Sequence, residues 1–312
     1  MPEQTLVSIG LPTYNRAVSL RRAIDSALAQ DYQPIELIIS DNGSTDETEA
    51  ICRAAAGRDS RIKYLRQPEN RGAAANFQAV LDHARGDFFL WLADDDWLGQ
   101  SYVARCVEVL EANSDHALVC GQARYYDDDK IVSAEPGINL LAHAAANRVL
   151  DYYAHVSGNG AFYGVMRRAH ISRIPPHAGF GGDWLMIADM AFLGKLAAVN
   201  EVFINRSLNG ASRDLQQHAR AFGLKGFMAR SPHLQIAVNA WAHIGWRSPL
   251  YQTMSLPARL LLSSRAFVTI CTHSVVRRWY GQACAYLIRS HPRFKSVVKA
   301  VKNRLTTSLR HG

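Results

Sequence analysis

Acidic residues run out at Asp214. Residues 215–312 contain no Asp or Glu but 15 Lys+Arg, while the first 214 hold 20 Lys+Arg against all 27 acids. The net charge of +8 therefore hides an acidic body followed by a basic tail. Such a tail suits nucleic acid, an anionic membrane or an acidic substrate. Cysteine is also scarce. The five (Cys52, Cys106, Cys120, Cys271, Cys284) are odd in number and form no CxxC pair, which argues against a disulfide framework or a zinc site and for a reducing compartment. No stretch offers 18 uncharged apolar residues. The most apolar late segment, 257–276, carries Arg259 and Arg265, so no transmembrane helix is expected. The opening MPEQTLVSIG has neither a basic start nor a long apolar run; no signal peptide and a cytoplasmic location are the expectation.

Several catalytic templates are missing too. There is no GxxxxGK[ST], HExxH or GxSxG, and Gly158-Asn159-Gly160 lacks the strand-to-helix setting of a dinucleotide fingerprint. The 12 histidines are scattered without ligand spacing and read as structural or surface groups. No internal repeat or low-complexity tract appears.

What is present is a globular composition, 48% hydrophobic and 20% charged over 312 residues, long enough for one large domain with an appendage or for two domains. Apolar runs at 5–11 (ended by Pro12), 35–40, 62–65 and 88–92 predict strands. Between them, 17–30, a segment capped by Ser44 or Thr45 and running to about 56, and 73–84 predict helices. This alternation predicts an α/β fold with a Rossmann-like, mostly parallel sheet flanked by helices. Further on come a helix near 101–112, a strand near 116–126, a helix over 185–196 and a strand near 198–204. Helices dominate from about 215, punctuated by Pro232, Pro249, Pro257 and Pro292.

In such a sheet, ligands sit at the carboxyl ends of the strands. The polar clusters fall there: Thr13-Tyr14-Asn15-Arg16, then Asp41, then Asp94-Asp95-Asp96. Three adjacent carboxylates repel one another, and a hard divalent cation, Mg²⁺ or Mn²⁺, would relieve the cost; a solvated acidic turn or a helix cap explains them as well. Asp41 could accept from a nucleobase imide, whereas Asp46 reads as a turn or cap residue. Tyr14 could stack on a base and Arg16 could meet phosphate, although a core-edge aromatic and a surface cation fit each singly. Asn70-Arg71-Gly72, followed by small residues to Asn76, would let a helix N-terminus approach a ligand; ordinary packing is the alternative.

The stretch VSIGLPTYNRAVSLRRAIDSAL, then ELIISDNGSTDET, NRGAAANF and FFLWLADDDWL, strongly resembles the family 2 glycosyltransferases of GT-A fold. The resemblance covers about 5–110 and continues more weakly to about 210. It implies that Pro12, Thr13, Tyr14, Asp41 and Asn42 hold the nucleotide base, with Arg71, Gly72 and Asn76 nearby. Asp94 and Asp95 would lie by the ribose and diphosphate, and Asp96 would be the protein ligand of a Mn²⁺ or Mg²⁺ ion. The family's LDxDD pattern has Ala93 at its second position here. Its Gly-Glu-Asp segment resembles Gly181-Gly182-Asp183, with Gly182 in place of Glu; this implies Asp183 as catalytic base, against a plain helix cap. Its Tyr-Arg-x-His pattern appears as Asn205-Arg206-Ser207-Leu208, without the His.

The resemblance thus implies an inverting, metal-dependent transfer from a nucleotide sugar, UDP-linked first, to the hydroxyl of a saccharide or lipid-linked saccharide in bacterial surface polysaccharide or glycolipid synthesis. The expected organisation is a GT-A domain over 1–214, with a donor half to about 110 and an acceptor half beyond, and a helical basic region over 215–312. Residues 157–160 are a candidate acceptor-side wall. Residues 292–309 pattern as a basic amphipathic helix, suited either to an anionic bilayer at the inner face of the cell membrane or to packing on the catalytic domain. Two rival classes stay open: a nucleotidyltransferase acting on a sugar phosphate, and a non-enzymatic nucleic-acid binder using the tail. The tail shows little aromatic–basic interleaving, which speaks against nucleic acid.

Overall fold

A computed structural model describes residues 5–156, 158–177, 179–208 and 215–290, with backbone alone at 217, 218, 221 and 274–290. The amphipathic segment 292–309 and Ser157 lie outside the described residues.

The first half alternates as expected. Strands β1 (Val7–Thr13), β2 (Ile35–Asp41), β3 (Ile62–Arg66) and β4 (Phe88–Trp91) are separated by helices α1 (Leu20–Leu28), α2 (Thr48–Ala56) and α3 (Ala73–Asp82). The four strands are parallel, in the order β3-β2-β1-β4. β1, β2 and β4 are buried along their whole length, which is why they read as continuous apolar runs. Alternate residues serve opposite faces. Ile9, Leu11, Leu37, Ile39 and Leu90 join one core with α1, α2 and α4; Ile38, Phe89 and Trp91 join the other. At Gly10 a Cβ would stand 2.7 Å from Val80 and 2.8 Å from Phe89, so a glycine there lets α3 lie directly on β1.

The second half adds β5 (Trp97–Leu98), α4 (Tyr102–Ala112), β6 (His116–Asp127), β7 (Lys130–Glu135), α5 (Ala145–His155), a 3₁₀ turn (Gly160–Tyr163), β8 (Val165–Arg167), α6 (Arg168–Ile171), α7 (Gly182–Leu193) and β9 (Lys195–Ser207). Among the described residues the nine strands form one sheet, continuing β4-β8-β6-β9-β5 with β7 beside β6. Here β6 and β9 are parallel, and β5, β7 and β8 run antiparallel to their neighbours. Short α8 (Leu215–Ala221) and α9 (Gly226–Arg230) lead to α10 (Pro232–Ala242), a π turn (His243–Arg247), a 3₁₀ turn (Leu250–Thr253) and the long α11 (Leu256–Ser290). α11 packs on α10 and α5. Ile236, Ala240, Tyr251 and Leu262 share a core with Trp184 and Met190 of α7, so this part of the basic region is built onto the α/β body.

Four boundaries differ from expectation. Pro12 lies inside β1 rather than after it. Thr13 O accepts from Asn42 N–H on the β2 side, so Pro12, one residue back, faces β4, whose pairing ends at Gly10–Trp91; no ladder hydrogen bond is lost there. Neither Ser44 nor Thr45 caps α2. Glu47 stands at the cap position without a side-chain bond, and Asp46, just before it, accepts Thr48 N–H at 3.0 Å, in keeping with its turn reading. Helix α1 starts at Leu20 instead of 17, and the helix expected over 185–196 starts at Gly182 and ends at Leu193.

Candidate active site

The carboxyl ends of β1, β2 and β4 form one edge, and the chain bends sharply there. Asn15 takes a left-handed conformation, φ 51°. Its side-chain oxygen accepts Thr45 N–H at 2.8 Å, and its own N–H donates to Ser44 Oγ at 2.9 Å. The β1 and β2 loops are thereby tied together. Tyr14 is left 41% exposed at the tip.

Two residues expected at or near the nucleotide base, Asn42 and Asn76, hold loops together. Asn42 and Asn76 are buried. Asn42 accepts Arg71 N–H at 2.9 Å and donates to Asn70 Oδ1 at 2.9 Å. Asn76 donates to the carbonyls of Thr13 and Ser40 at 3.2 and 3.0 Å. The effect is to bring Arg71 and Gly72, both exposed at the start of α3, beside the β1 and β2 loops. Gly72 precedes the helix with φ 84°, a conformation that glycine adopts without steric cost.

Asp41 is fully buried. Its oxygens accept from Ser44 N–H at 2.8 Å, the Tyr64 hydroxyl at 2.9 Å and the Arg66 guanidinium at 2.7 Å. A carboxylate has about four acceptor positions, and three are taken. Arg66 comes from β3 and was not singled out in the sequence. It lies over the one carboxylate assigned to a nucleobase, with Asp41 fully covered and Arg66 itself 32% exposed.

The acidic triplet follows β4. Asp94 accepts Tyr14 N–H at 3.3 Å, and Arg16 reaches Asp94 and Asp95 only at 3.6 and 3.9 Å. Burial, with the Asp95 charge beside it, pushes the Asp94 carboxyl up to about 6. Asp96 points inward and is only 3% exposed. It accepts Ser207 N–H at 3.0 Å and faces Arg206 at 3.4 Å. Burial pushes it up to about 7 despite Arg206. Three hard oxygen donors, with Asp94 and Asp96 raised in proton affinity and only long ion pairs among them, fit a divalent cation better than a settled salt-bridge network.

The opposite wall comes from the second half. Asp183 sits in the first turn of α7, exposed, with Gly181 rather than Asp183 at the cap. Its Oδ2 accepts Asn159 Nδ2–H at 2.8 Å, and Asn159 accepts the Tyr152 hydroxyl at 2.7 Å. Asn159 is left-handed, φ 51°, and buried, and its amide thus orients Asp183. Arg206 donates to Gly158 O at 3.1 Å and lies over the rings of Tyr163 and Tyr125, 4.9 and 5.4 Å from their centroids. A cavity of about 760 Å³ is lined by Arg71 and Gly72 from the first half and by Asn159, Asp183, Arg206 and Ser207 from the second. The triplet carboxylates are not in that lining, but Arg206 and Ser207 join Asp96 to it. Tyr125, Tyr152 and Tyr163, like Arg66, carried no signal in the sequence, since each acts through a partner at least seven residues away.

The family model "Glycosyl transferase family 2" matches residues 8–173. A Campylobacter jejuni protein, GalNAc(5)-diNAcBac-PP-undecaprenol beta-1,3-glucosyltransferase, is 37% identical over 164 residues, 52% of each chain. An uncharacterized glycosyltransferase of Haemophilus influenzae is 36% identical over 154 residues, 49% of this chain and 58% of that one. The chain thus spans about half the length of these curated relatives. Among solved structures, TarS 1–349 of S. aureus in complex with UDP-GlcNAc superposes with a TM-score of 0.53 at 14% identity, over 88% of this chain and 91% of that one. The mannosyltransferase PcManGT of Pyrobaculum calidifontis in complex with GDP-Man and Mn²⁺ gives 0.53 at 16%, over 99% and 87%. These are glycosyltransferases of GT-A type, and they share the fold. With the family match covering more than half of its 312 residues, the chain belongs to glycosyl transferase family 2.

Proposed function

We propose that this protein transfers a sugar, with inversion, from a nucleotide-sugar donor to an acceptor hydroxyl. The observation that carries the reading is one cavity lined by Arg71, Gly72 and Asp183 together, with Asp96 bonded to the Arg206 and Ser207 of the same lining. Tyr14 would stack on the base at the exposed loop tip, beside Pro12 and Thr13. Arg16 and Arg71 would meet the diphosphate, with Asp94 and Asp95 near the ribose. Asp41 would accept the base imide only once Arg66 swings aside.

Asp96 would be the protein ligand of a Mn²⁺ or Mg²⁺ ion. Such an ion, when bound, offsets charge on the leaving diphosphate. On the acceptor side the O–H loses its proton to Asp183 as the oxygen bonds to the anomeric carbon. The bond from that carbon to the phosphate oxygen breaks, and the nucleoside diphosphate departs with the electron pair. Asn159, hydrogen-bonded to Asp183, holds the base in place.

A uridine donor comes first, and the acceptor a saccharide or lipid-linked saccharide of a bacterial surface polysaccharide or glycolipid. The C. jejuni relative named for an undecaprenol-linked substrate and the TarS complex with UDP-GlcNAc support that choice; the GDP-Man complex keeps guanosine as the comparison. The 1–214 unit would carry catalysis and 215–312 would serve attachment. No described helix is long and apolar enough to cross a membrane. Trp241 and Trp246 pack together at 4.4 Å yet stay 40% and 48% exposed, in a region without one acid, which supports peripheral contact with an anionic bilayer.

The test is calorimetric titration of UDP, GDP and dTDP with and without Mn²⁺. Metal-dependent binding of one nucleotide, lost in Asp96→Ala, is expected; absence of binding to all three under every condition would sink the proposal. Sedimentation with vesicles containing anionic lipid, against neutral ones, tests the attachment.

A further inference from the structure

Histidines far apart in sequence meet a carboxylate at a point where the proposed transfer uses none of them. Asp189 lies in the middle of α7, fully buried among apolar residues. His177 precedes α7 and His243 opens the π turn after α10. His177 Nε2 stands 3.2 Å from Asp189 Oδ2, and His243 Nε2 stands 2.9 Å from both carboxylate oxygens. The two imidazoles meet edge to face at 4.7 Å. One donor atom from each residue falls within 4.8 Å of the others.

We infer that His177, Asp189 and His243 form a binding site for one transition-metal dication, Zn²⁺ foremost, distinct from the acidic triplet. Two imidazole nitrogens and a carboxylate oxygen are a borderline-soft donor set that suits Zn²⁺ rather than Mg²⁺ or Mn²⁺. In a tetrahedron with bonds of 2.0–2.1 Å, ligand atoms stand about 3.3 Å apart, a few tenths beyond the 2.9–3.2 Å seen here. Plain hydrogen bonding explains the cluster less well. The His243 nitrogen is equidistant from two oxygens, so one N–H aimed between them makes neither bond well. Nor is the surrounding shell satisfied. The hydroxyl of Tyr153 is fully buried without a hydrogen-bond partner, and the Tyr251 ring abuts His243 at 5.8 Å. A tyrosine hydroxyl or a water would complete four-fold coordination. A buried carboxylate needs compensating positive charge, and a dication supplies it.

The site has structural rather than catalytic character. It joins three segments: the loop that runs into Gly181 and Asp183, the α7 helix itself, and the C-terminal helices through the π turn. His177, Gly179 and Phe180 line the same cavity as Asp183. An ion here would hold the Asp183 side of the cavity against the 215–270 helices.

The test uses the full chain. After incubation with Zn²⁺ and desalting, elemental analysis is expected to give one Zn²⁺ per chain in the wild type and in Asp96→Ala, and less than a tenth of that in His177→Ala and His243→Gln. Co²⁺-loaded wild type is expected to show the visible absorption of a tetrahedral centre, which needs no variant to fold. At a hundredfold excess of Zn²⁺ over its Kd, Tm is expected to rise by roughly 5–10 °C in the wild type only. Wild type that retains neither Zn²⁺ nor Co²⁺ above the level of His177→Ala, with Tm unmoved by either, would overturn the assignment and leave a hydrogen-bonded His–Asp–His cluster. Because Asp96→Ala keeps this site intact, failure of the donor-site proposal and failure of this one are read separately.

Discussion

Replacing Asp96 by Asn should make the metal-free protein more stable at pH 8 while removing metal-dependent nucleotide binding. Asp96 is nearly fully buried, and burial pushes its carboxyl from an ordinary 3.8 up to about 7. Below pH 3.8 the folded and unfolded chains both carry the proton. Between 3.8 and about 7 only the folded chain does, so stability falls as pH rises through this window, and above it neither state binds the proton. At 1.36 kcal/mol per pH unit, the gap between 3.8 and about 7 corresponds to about 4 kcal/mol lost by pH 8. Asparagine can still accept from Ser207 N–H but has no proton to lose, so the variant escapes the penalty. Urea denaturation with a chelator at pH 5 and pH 8 measures this. The wild-type midpoint should drop between the two pH values, that of Asp96→Asn should drop much less, and adding Mn²⁺ with nucleotide should restore the wild type alone. Parallel midpoints for the two proteins at both pH values would refute the argument, because Asp96 would then be ionised throughout.

Four further outcomes follow from the same geometry. Affinity for Mn²⁺ should rise with pH, since Asp94 and Asp96 must shed protons held up to about 6 and about 7; titrations at pH 5.5 and 7.5 should differ by at least about tenfold. Asp183→Asn should lower kcat by roughly 10²–10⁴ with nucleotide affinity unchanged by calorimetry, and an equal loss of both would refute the assignment of Asp183 as base. Asp41→Asn should cost roughly 2–4 kcal/mol in urea denaturation, because Arg66, Tyr64 and Ser44 N–H all converge on a buried charge. Gly181→Ala should cost roughly 1–3 kcal/mol, since φ is 79° and a Cβ would meet Ile236 at 2.8 Å; its Tm and kcat should fall together, because the displaced turn carries Asp183.

The first half of the fold was legible because each strand is short, apolar and followed by polar loops. Parallel strands buried on both faces show themselves as runs such as IELIIS, and the carboxyl edge then groups Thr13, Asp41 and the triplet without further information. Boundaries failed where a local signal was read without its neighbours. Pro12 looked like a terminator because the sequence does not say that β4 stops two residues short of it. Ser44 and Thr45 looked like caps because Asn15, thirty residues away, is what engages them. The triplet was legible as charge, but the cation that faces Asp96 was not, because Arg206 is 110 positions distant.

The same argument explains why the candidate site divides into contacts and scaffolding. Asn42 and Asn76 carry the family pattern as clearly as Tyr14 does, yet their side-chain NH2 groups, and Asn42 Oδ1, bond within the protein. A sequence motif records that a residue type is needed; it does not record whether the partner is a ligand or a loop. Burial separates the two cases. Tyr14, Arg16, Arg71 and Asp183 retain exposed polar surface and can meet substrate directly, whereas Asn42 and Asn76 fix the loops from which they do so. Asp96 falls between these classes: it is buried, as scaffolding is, but its weakly paired carboxyl prefers to keep its proton. Its donors, Ser207 N–H at 3.0 Å and Arg206 at 3.4 Å, do not offset that burial, and a binding partner that supplies positive charge is what would bring it into the ionised state.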